Sequence, residues 1–326
     1  MTILVTGATG FIGFHTAKAL LARGESVVGI DDLNGYYSPQ LKRDRLAQLG
    51  GPFTFIHCDF SDFAALTRAL EGHSFDRIVH LGAQAGVGHS LIDPHSYMRS
   101  NLAGHLNLLE IARAARGLRH MVYASSSSVY GANAKLPFSV EDRTDHPVSL
   151  YAATKRADEL MSESYAHLYA IPLTGLRFFT VYGPWGRPDM AIWRFTERIL
   201  RGQPIQLYNH GQMRRDFTYI DDIVDGVLAA LDRPHHVAHA AAHHAAHRVF
   251  NLGNCRSEEL VRLVELIEGA TGRAAIREML PMQPGDVPET FADITATTAD
   301  LGFAPRTSID VGIPKFVDWF RGYTGL

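Results

Sequence analysis

Thr2-Ile3-Leu4-Val5-Thr6-Gly7-Ala8-Thr9-Gly10-Phe11-Ile12-Gly13 opens with a short apolar strand and runs straight into a glycine loop. An Ala/Leu-rich helix follows and ends near Arg23-Gly24. Strand, glycine loop and helix in this order form the unit that binds a dinucleotide. Gly7 permits the tight turn, Gly10 lets backbone approach a pyrophosphate, and Gly13 lets helix pack on strand. Phe11 and Ile12 then stand at a helix N-terminus that faces the phosphates. A second apolar strand, Ser26 to Ile30, ends in Asp31-Asp32. An acid there accepts hydrogen bonds from an adenosine ribose diol and repels a 2'-phosphate, so the expected cofactor is NAD rather than NADP. Asp31 is the first choice, with Asp32 and Asn34 beside it.

The alternation continues outward from this unit. Phe53 to His57 reads as a third strand ending at Cys58-Asp59-Phe60. Asp59 has two readings, an acceptor for the adenine amino group or a cap for the helix that follows, and Phe60 is placed against the base. Arg77 to Leu81 is a fourth strand that runs into small residues able to let a ligand lie close to backbone. Leu81, Ala83 and Gln84 are assigned to the cofactor, and Gln84, Gly86 and Val87 to the substrate. Asp93-Pro94 opens one long helix through Asn101, also assigned to the cofactor, to Arg116. Met121 to Ala124 and Leu173 to Phe178 give further strands. The expected fold is α/β, a Rossmann-like doubly wound parallel sheet with a smaller mixed α/β C-terminal lobe. Residues 1–180 form the NAD-binding domain, to which the chain returns at about 221–255. Residues 181–220 and 256–326 form the smaller lobe, which would carry the substrate.

Tyr151 and Lys155 stand four apart in a segment whose apolar spacing, Ser149 N-cap and Ile171-Pro172 stop predict a helix. Both side chains then leave one face. A free phenol titrates near pH 10, so a tyrosine base working near neutrality needs neighbouring cations, about 4 kcal/mol in all. One ammonium is marginal for that, and an oxidised nicotinamide ring is a second cation. Ser125 to Ser128 follow the Met121 strand directly. Ordinary loops also carry serine runs, but beside the helix pair Ser126 and Ser128 become a proton-handling set.

Composition removes several classes of function. With 31 basic and 34 acidic residues and a net charge of −3, no electrostatic footprint for nucleic acid or a membrane surface appears. Two cysteines suggest neither a disulfide framework nor a zinc site. The N-terminus reads as neither a signal peptide nor a span, so a cytoplasmic protein is expected. The histidine-rich run at 235–248 lacks acidic or cysteine partners and reads as an Ala/His-rich surface segment, with no metal site.

The combination of T-G-x-x-G-x-x-G, Asp31, the serine strand end and Y-x-x-x-K resembles the extended short-chain dehydrogenase/reductase (NAD-dependent epimerase/dehydratase) family. Gly29 to Tyr37, Tyr123 to Gly131, Ser149 to Lys155, Leu176 to Ala191 and Met213 to Asp222 look like its UDP-glucuronate 4-epimerase branch. The resemblance implies that Tyr151 takes the proton from the sugar O4 while hydride passes from C4 to NAD. Lys155 would bind the nicotinamide ribose, with Ser126 and Ser128 on the proton path. A carboxylate beside the ring is best held by a planar guanidinium, and Arg187, with Thr180 as hydroxyl partner, is the leading candidate. Arg194 is the second, unless it is simply exposed. The family pattern further puts Arg215 at the diphosphate, Tyr208 near uracil, and Gln283 and Asp286 in the nucleotide pocket. It also implies a homodimer through the helices at 93–116 and 150–170. UDP-glucose/UDP-galactose epimerisation, UDP-glucuronate decarboxylation and a non-enzymatic NAD-bound sensor are the alternatives.

Overall fold

The computed structural model describes residues 1–235, 246–283 and 285–326. Five strand–helix repeats come first: β1 (Thr2–Thr6), α1 (Phe11–Ala22), β2 (Ser26–Asp31), α2 (Pro39–Ala47), β3 (Phe53–His57), α3 (Phe63–Ala69) and β4 (Arg77–His80) lead to α4 (Pro94–Tyr97), α5 (Gly104–Ala114), β5 (His120–Ser126) and α6 (Leu150–Tyr169). Then follow β6 (Leu173–Phe178), β7 (Thr180–Tyr182), α7 (Ala191–Leu200), β8 (Ile205–Leu207), β9 (Arg214–Arg215), β10 (Phe217–Tyr219), α8 (Ile220–Leu231) and β11 (His247–Leu252). The chain ends with β12 (Glu258–Glu259), α9 (Leu260–Thr271), β13 (Arg277–Met279), α10 (Thr295–Leu301) and α11 (Ile309–Thr324).

Seven strands form one parallel sheet in the order β11-β6-β5-β4-β1-β2-β3. Both faces are covered by helices, so its strands read as nearly continuous apolar runs. Alternation along β1 shows this directly: Ile3 and Val5 join the core on one face, with Val27, Val79 and Val122, while Leu4 joins the other, with Val28, Ile78 and Met121. The order reverses between β1 and β4, and in such sheets the crevice at the strands' carboxyl ends is where ligands sit.

β11 pairs with β6 from His247↔Leu173 to Leu252↔Phe178, so the chain does rejoin the main sheet after its excursion. The rest of the C-terminal half uses three two-stranded ribbons, β7 with β10, β9 with β12 and β8 with β13. Its packing is aromatic: Trp193 meets Phe320 at 5.1 Å between ring centroids, and Trp185 meets Trp319 at 5.3 Å.

The helix expected from Asp93 to Arg116 is not continuous. It breaks into α4, a π-helical turn at Met98–Ala103, and α5. Its start is as expected, with Asp93 capping Ser96 N at 3.2 Å and Pro94 in the first turn. Residues 236–245, most of the histidine-rich run, lie outside the described residues.

Candidate active site

A cleft of about 390 Å³ opens at the carboxyl ends of the strands. The glycine loop forms its floor. Gly7 has φ +67°, and a Cβ there would stand 2.8 Å from the Gly82 backbone. Gly10 N donates to Gly7 O at 2.8 Å, and a Cβ on Gly13 would come within 2.0 Å of that same oxygen. The N-cap of α1 is Gly10, with no side-chain cap bond, which leaves first-turn N–H groups to face an anion. Asp31, 6% exposed, accepts from Leu33 N at 2.9 Å and Thr9 N at 3.2 Å, with Lys42 Nζ 3.9 Å away. A bare backbone cradle closed to side chains and a buried acid at the end of β2 fit a dinucleotide whose ribose carries no phosphate.

The expected proton-handling set lines the same cleft. Ser149 caps α6 through Ala152 N at 3.1 Å, and the helix brings Tyr151 and Lys155 into the cleft together. Tyr151 meets the Tyr97 ring edge-on, 6.0 Å between centroids, and Tyr97 is itself fixed by donating to Ala85 O at 2.9 Å and Gly86 O at 2.5 Å. Lys155 is buried and donates to Ala124 O at 2.9 Å and Asp158 Oδ2 at 3.1 Å. Ser126 donates to Ser128 Oγ at 3.0 Å. Behind them Glu159 accepts from Ser125 at 2.6 Å and from Nε and Nη2 of Arg177 at 2.8 and 2.9 Å. Burial would raise the Glu159 carboxyl, but Arg177 and Ser125 together hold it below the usual range. This ionic knot fixes β5, β6 and α6 to one another, so the serine turn and Tyr151 keep their spacing.

Asp158 carries a consequence that can be measured. Burial drives its carboxyl up to about 7, against the pull of Lys155. The folded chain therefore binds this proton more tightly than the unfolded one, whose carboxyl titrates near 3.8. The stability contributed is fully present below about pH 4 and lost as pH rises through about 7. Asp158→Asn should remove that slope, so its urea midpoint should gain on the wild type between pH 5 and pH 8. A constant difference between the two proteins would mean the acid is ionised throughout.

The residues expected to face a substrate divide. Thr180, Arg187, Arg215, Asp286, Gly86 and Val87 line the cleft together with Gln84, Leu81, Ala83, Asp32, Asn34, Asp59, Phe11 and Ile12. Arg215 pairs with Asp286 at 2.6 Å across the two ends of the C-terminal half. Arg187 makes a bidentate pair with Asp189, 3.0 Å from Nε and 2.5 Å from Nη2, and Tyr36 donates to the same carboxylate at 3.1 Å.

Four expected residues lie elsewhere, and one serves a second purpose. Asn101 is buried away from the cleft; its amide bridges the Gln84 backbone at 2.8 and 3.1 Å to Thr154 at 3.0 Å, so it braces Gln84. Arg194 is exposed, because α7 turns Ile192, Trp193 and Phe195 inward. Tyr208 bonds Gln206 at 3.3 Å outside the cleft lining, and Gln283 is exposed and likewise absent from it. Phe60 lines the cleft, but its ring also fills the space that Cβ atoms on Gly82 and Gly104 would need. Tyr36, Tyr37 and Lys42 were not expected in the cleft and line it. The signal for the two tyrosines was the polar, aromatic composition of the loop after Asp31; Lys42 lies on α2 beyond it. Among the described residues no cluster of His, Cys, Asp and Glu could hold a metal ion, and no helix is long and apolar enough to cross a membrane.

The model of the NAD dependent epimerase/dehydratase family matches residues 3–253, the span that carries the glycine loop, Asp31, the serine turn, Tyr151 and Arg187. The chain belongs to this family. Among its relatives, a probable UDP-glucuronate 4-epimerase of Rhizobium meliloti is 47% identical, over 98% of this chain and 97% of its own. UDP-glucuronate 4-epimerase 1 of Arabidopsis thaliana is also 47% identical, over 100% of this chain and 78% of its own. Among solved structures, the UDP-glucuronic acid 4-epimerase of Bacillus cereus, in complex with UDP-glucuronic acid and NAD, superimposes with a TM-score of 0.90 at 33% identity, covering 99% of this chain and 100% of that one. This epimerase/dehydratase chain is thus similar over nearly its whole length to proteins named as UDP-glucuronate 4-epimerases.

Proposed function

We infer that the protein is an NAD-dependent UDP-glucuronate 4-epimerase, interconverting UDP-glucuronate and UDP-galacturonate. The observation that carries this reading is that Tyr151, Lys155 and the Ser126–Ser128 turn open on the same cleft as the glycine loop, in a chain 47% identical over nearly its whole length to relatives with that name. NAD, when bound, supplies the acceptor and later the donor of the C4 hydride. The loop Gly7 to Gly13 and Asp31 would hold its diphosphate and adenosine ribose, and Lys155 its nicotinamide ribose.

The chain's own residues do the rest. Tyr151 takes the O4 proton as C4 is oxidised and returns it when the opposite face of the sugar is reduced. Ser126 and Ser128, coupled through their hydroxyls, orient O4 toward the phenol. Arg215 and Asp286 secure the nucleotide diphosphate end, and the lobe formed by 181–220 and 256–326 carries them while 1–180 carries the cofactor. Arg187 faces the uronate carboxylate, with Thr180 beside it. A homodimer is part of the same reading: Leu106 on α5 and Leu160, Leu168 and Tyr169 on α6 are large apolar side chains left exposed, as a helix-to-helix interface requires.

The pairing of Arg187 with Asp189 also favours a second reading, in which a neutral UDP-hexose is accepted because the guanidinium is already partnered. Incubating the protein separately with UDP-glucuronate, UDP-galacturonate and UDP-glucose, with products resolved by NMR, separates the two. The 4-epimer is expected from the acids; epimerisation of UDP-glucose alone would overturn the uronate reading, and UDP-pentose would indicate decarboxylation.

A further inference from the structure

Arg187 stands in the cleft with a carboxylate of its own chain on the edge best shaped to grip an acid. Asp189 takes the Nε–Nη2 side of the guanidinium at 3.0 and 2.5 Å, and Arg187 makes no ion pair with a second carboxylate among the described residues. The acid is anchored from a second direction as well. Tyr36 donates to it at 3.1 Å, and Tyr36 is itself seated where a Cβ on Gly86, at φ +105°, would come within 2.7 Å of the phenol oxygen. Three separate loops, at 34–37, 85–89 and 183–189, therefore converge on one Arg–Asp–Tyr cluster facing Tyr151. Despite burial, Arg187 and Tyr36 keep the Asp189 carboxyl below its usual range.

A bidentate Arg–carboxylate pair is among the stronger polar contacts a site can make. For a 4-epimerase that strength is a difficulty. The sugar must present first one face and then the other, and the carboxylate on C5 turns with the ring. It has to leave whatever holds it in every turnover.

We propose that Asp189 is a positioning and specificity-determining residue that fixes Arg187 with its Nη1 edge toward the sugar and offsets part of its charge, so that a uronate carboxylate is recognised yet released as the ring turns. The proposal rests on the uronate epimerase reading. An arriving carboxylate finds only the far edge of the fork and meets a like charge across the same guanidinium, which weakens its grip. Asp189 has no comparable effect on a neutral sugar.

Titration calorimetry and steady-state kinetics on the NAD-loaded protein test this. Asp189→Asn should bind UDP-glucuronate about tenfold more tightly, a change of about 1.4 kcal/mol, and should lower its kcat several-fold. UDP-glucose affinity should move by less than twofold. Asp189→Glu should restore both parameters toward wild type. In an Arg187→Ala background, Asp189→Asn should change uronate affinity by less than twofold, since the two act through one guanidinium. Unchanged or weaker uronate binding in Asp189→Asn, or an equal shift for both nucleotides, would overturn the proposal and leave Asp189 a brace for the loop. Wild-type turnover on UDP-glucuronate is read separately: its absence would refute the uronate reading, while the affinities would still decide what Asp189 does to an acid.

Discussion

Tyr151→Phe is expected to lower kcat by about a thousandfold, the scale of losing a positioned proton acceptor, while NAD stays bound. The magnitude follows from how few alternatives surround the phenol. Ser126 and Ser128 bond one another, Tyr97 donates to two backbone carbonyls, and Lys155 is held by Ala124 O and Asp158. Arg187 is a cation paired with Asp189. None of these is placed to take the O4 proton in the missing hydroxyl's stead. Removing one oxygen from a half-buried ring leaves the Tyr97 contact in place, so the fold and the cofactor should be unaffected. Turnover within tenfold of wild type would assign the proton to another group, and loss of the bound NAD would make the tyrosine a binding residue.

Gly13→Ala carries the second large effect. The new Cβ would need to sit 2.0 Å from Gly7 O, far inside any tolerated contact. Gly7 O is also the acceptor that closes the loop through Gly10 N at 2.8 Å, so it cannot move without opening the turn. The backbone cradle should lose its shape, and NAD affinity should fall about a hundredfold, roughly the 2.7 kcal/mol of that ratio. Purified variant should carry no dinucleotide, and its melting temperature should no longer rise on adding NAD. An unchanged affinity would mean that the phosphates lie elsewhere.

That these two positions line one cleft was legible from residue type and spacing, because each is set locally. A glycine that must approach backbone, or a tyrosine one helical turn from a lysine, is specified within a dozen residues. The strands were legible for a similar reason: a sheet covered on both faces demands apolar runs such as Ile3-Leu4-Val5, and their boundaries fall within a few residues of expectation. Failures arise where a residue's direction depends on distant packing. Asn101 is polar and close in sequence to cleft residues, yet the π-helical turn aims its amide at Gln84 and Thr154. Tyr208 and Gln283 lie just past the ends of β8 and β13, strands that pair with each other across some seventy residues, and local pattern says little about which side faces a ligand.

Arg194 takes the exposed alternative for a different reason. The apolar residues Ile192, Trp193, Phe195 and Ile199 define the inward stripe of α7, and the arginine falls opposite it by helical period alone. Asp189 was equally within reach. It lies two residues beyond Arg187, and an acid that close to a presumed carboxylate clamp changes what the clamp can do.

The most direct measurement repeats the UDP-glucuronate incubation with deuterium at C4. Epimerisation through a bound hydride carrier returns that atom to the same carbon on the opposite face. NMR should therefore find UDP-galacturonate with the label retained at C4, and no deuterium entering C4 when unlabelled sugar is turned over in deuterated water. Loss of the label to solvent, or its persistence only in unchanged starting material, would contradict an oxidation and re-reduction at C4 governed by Tyr151.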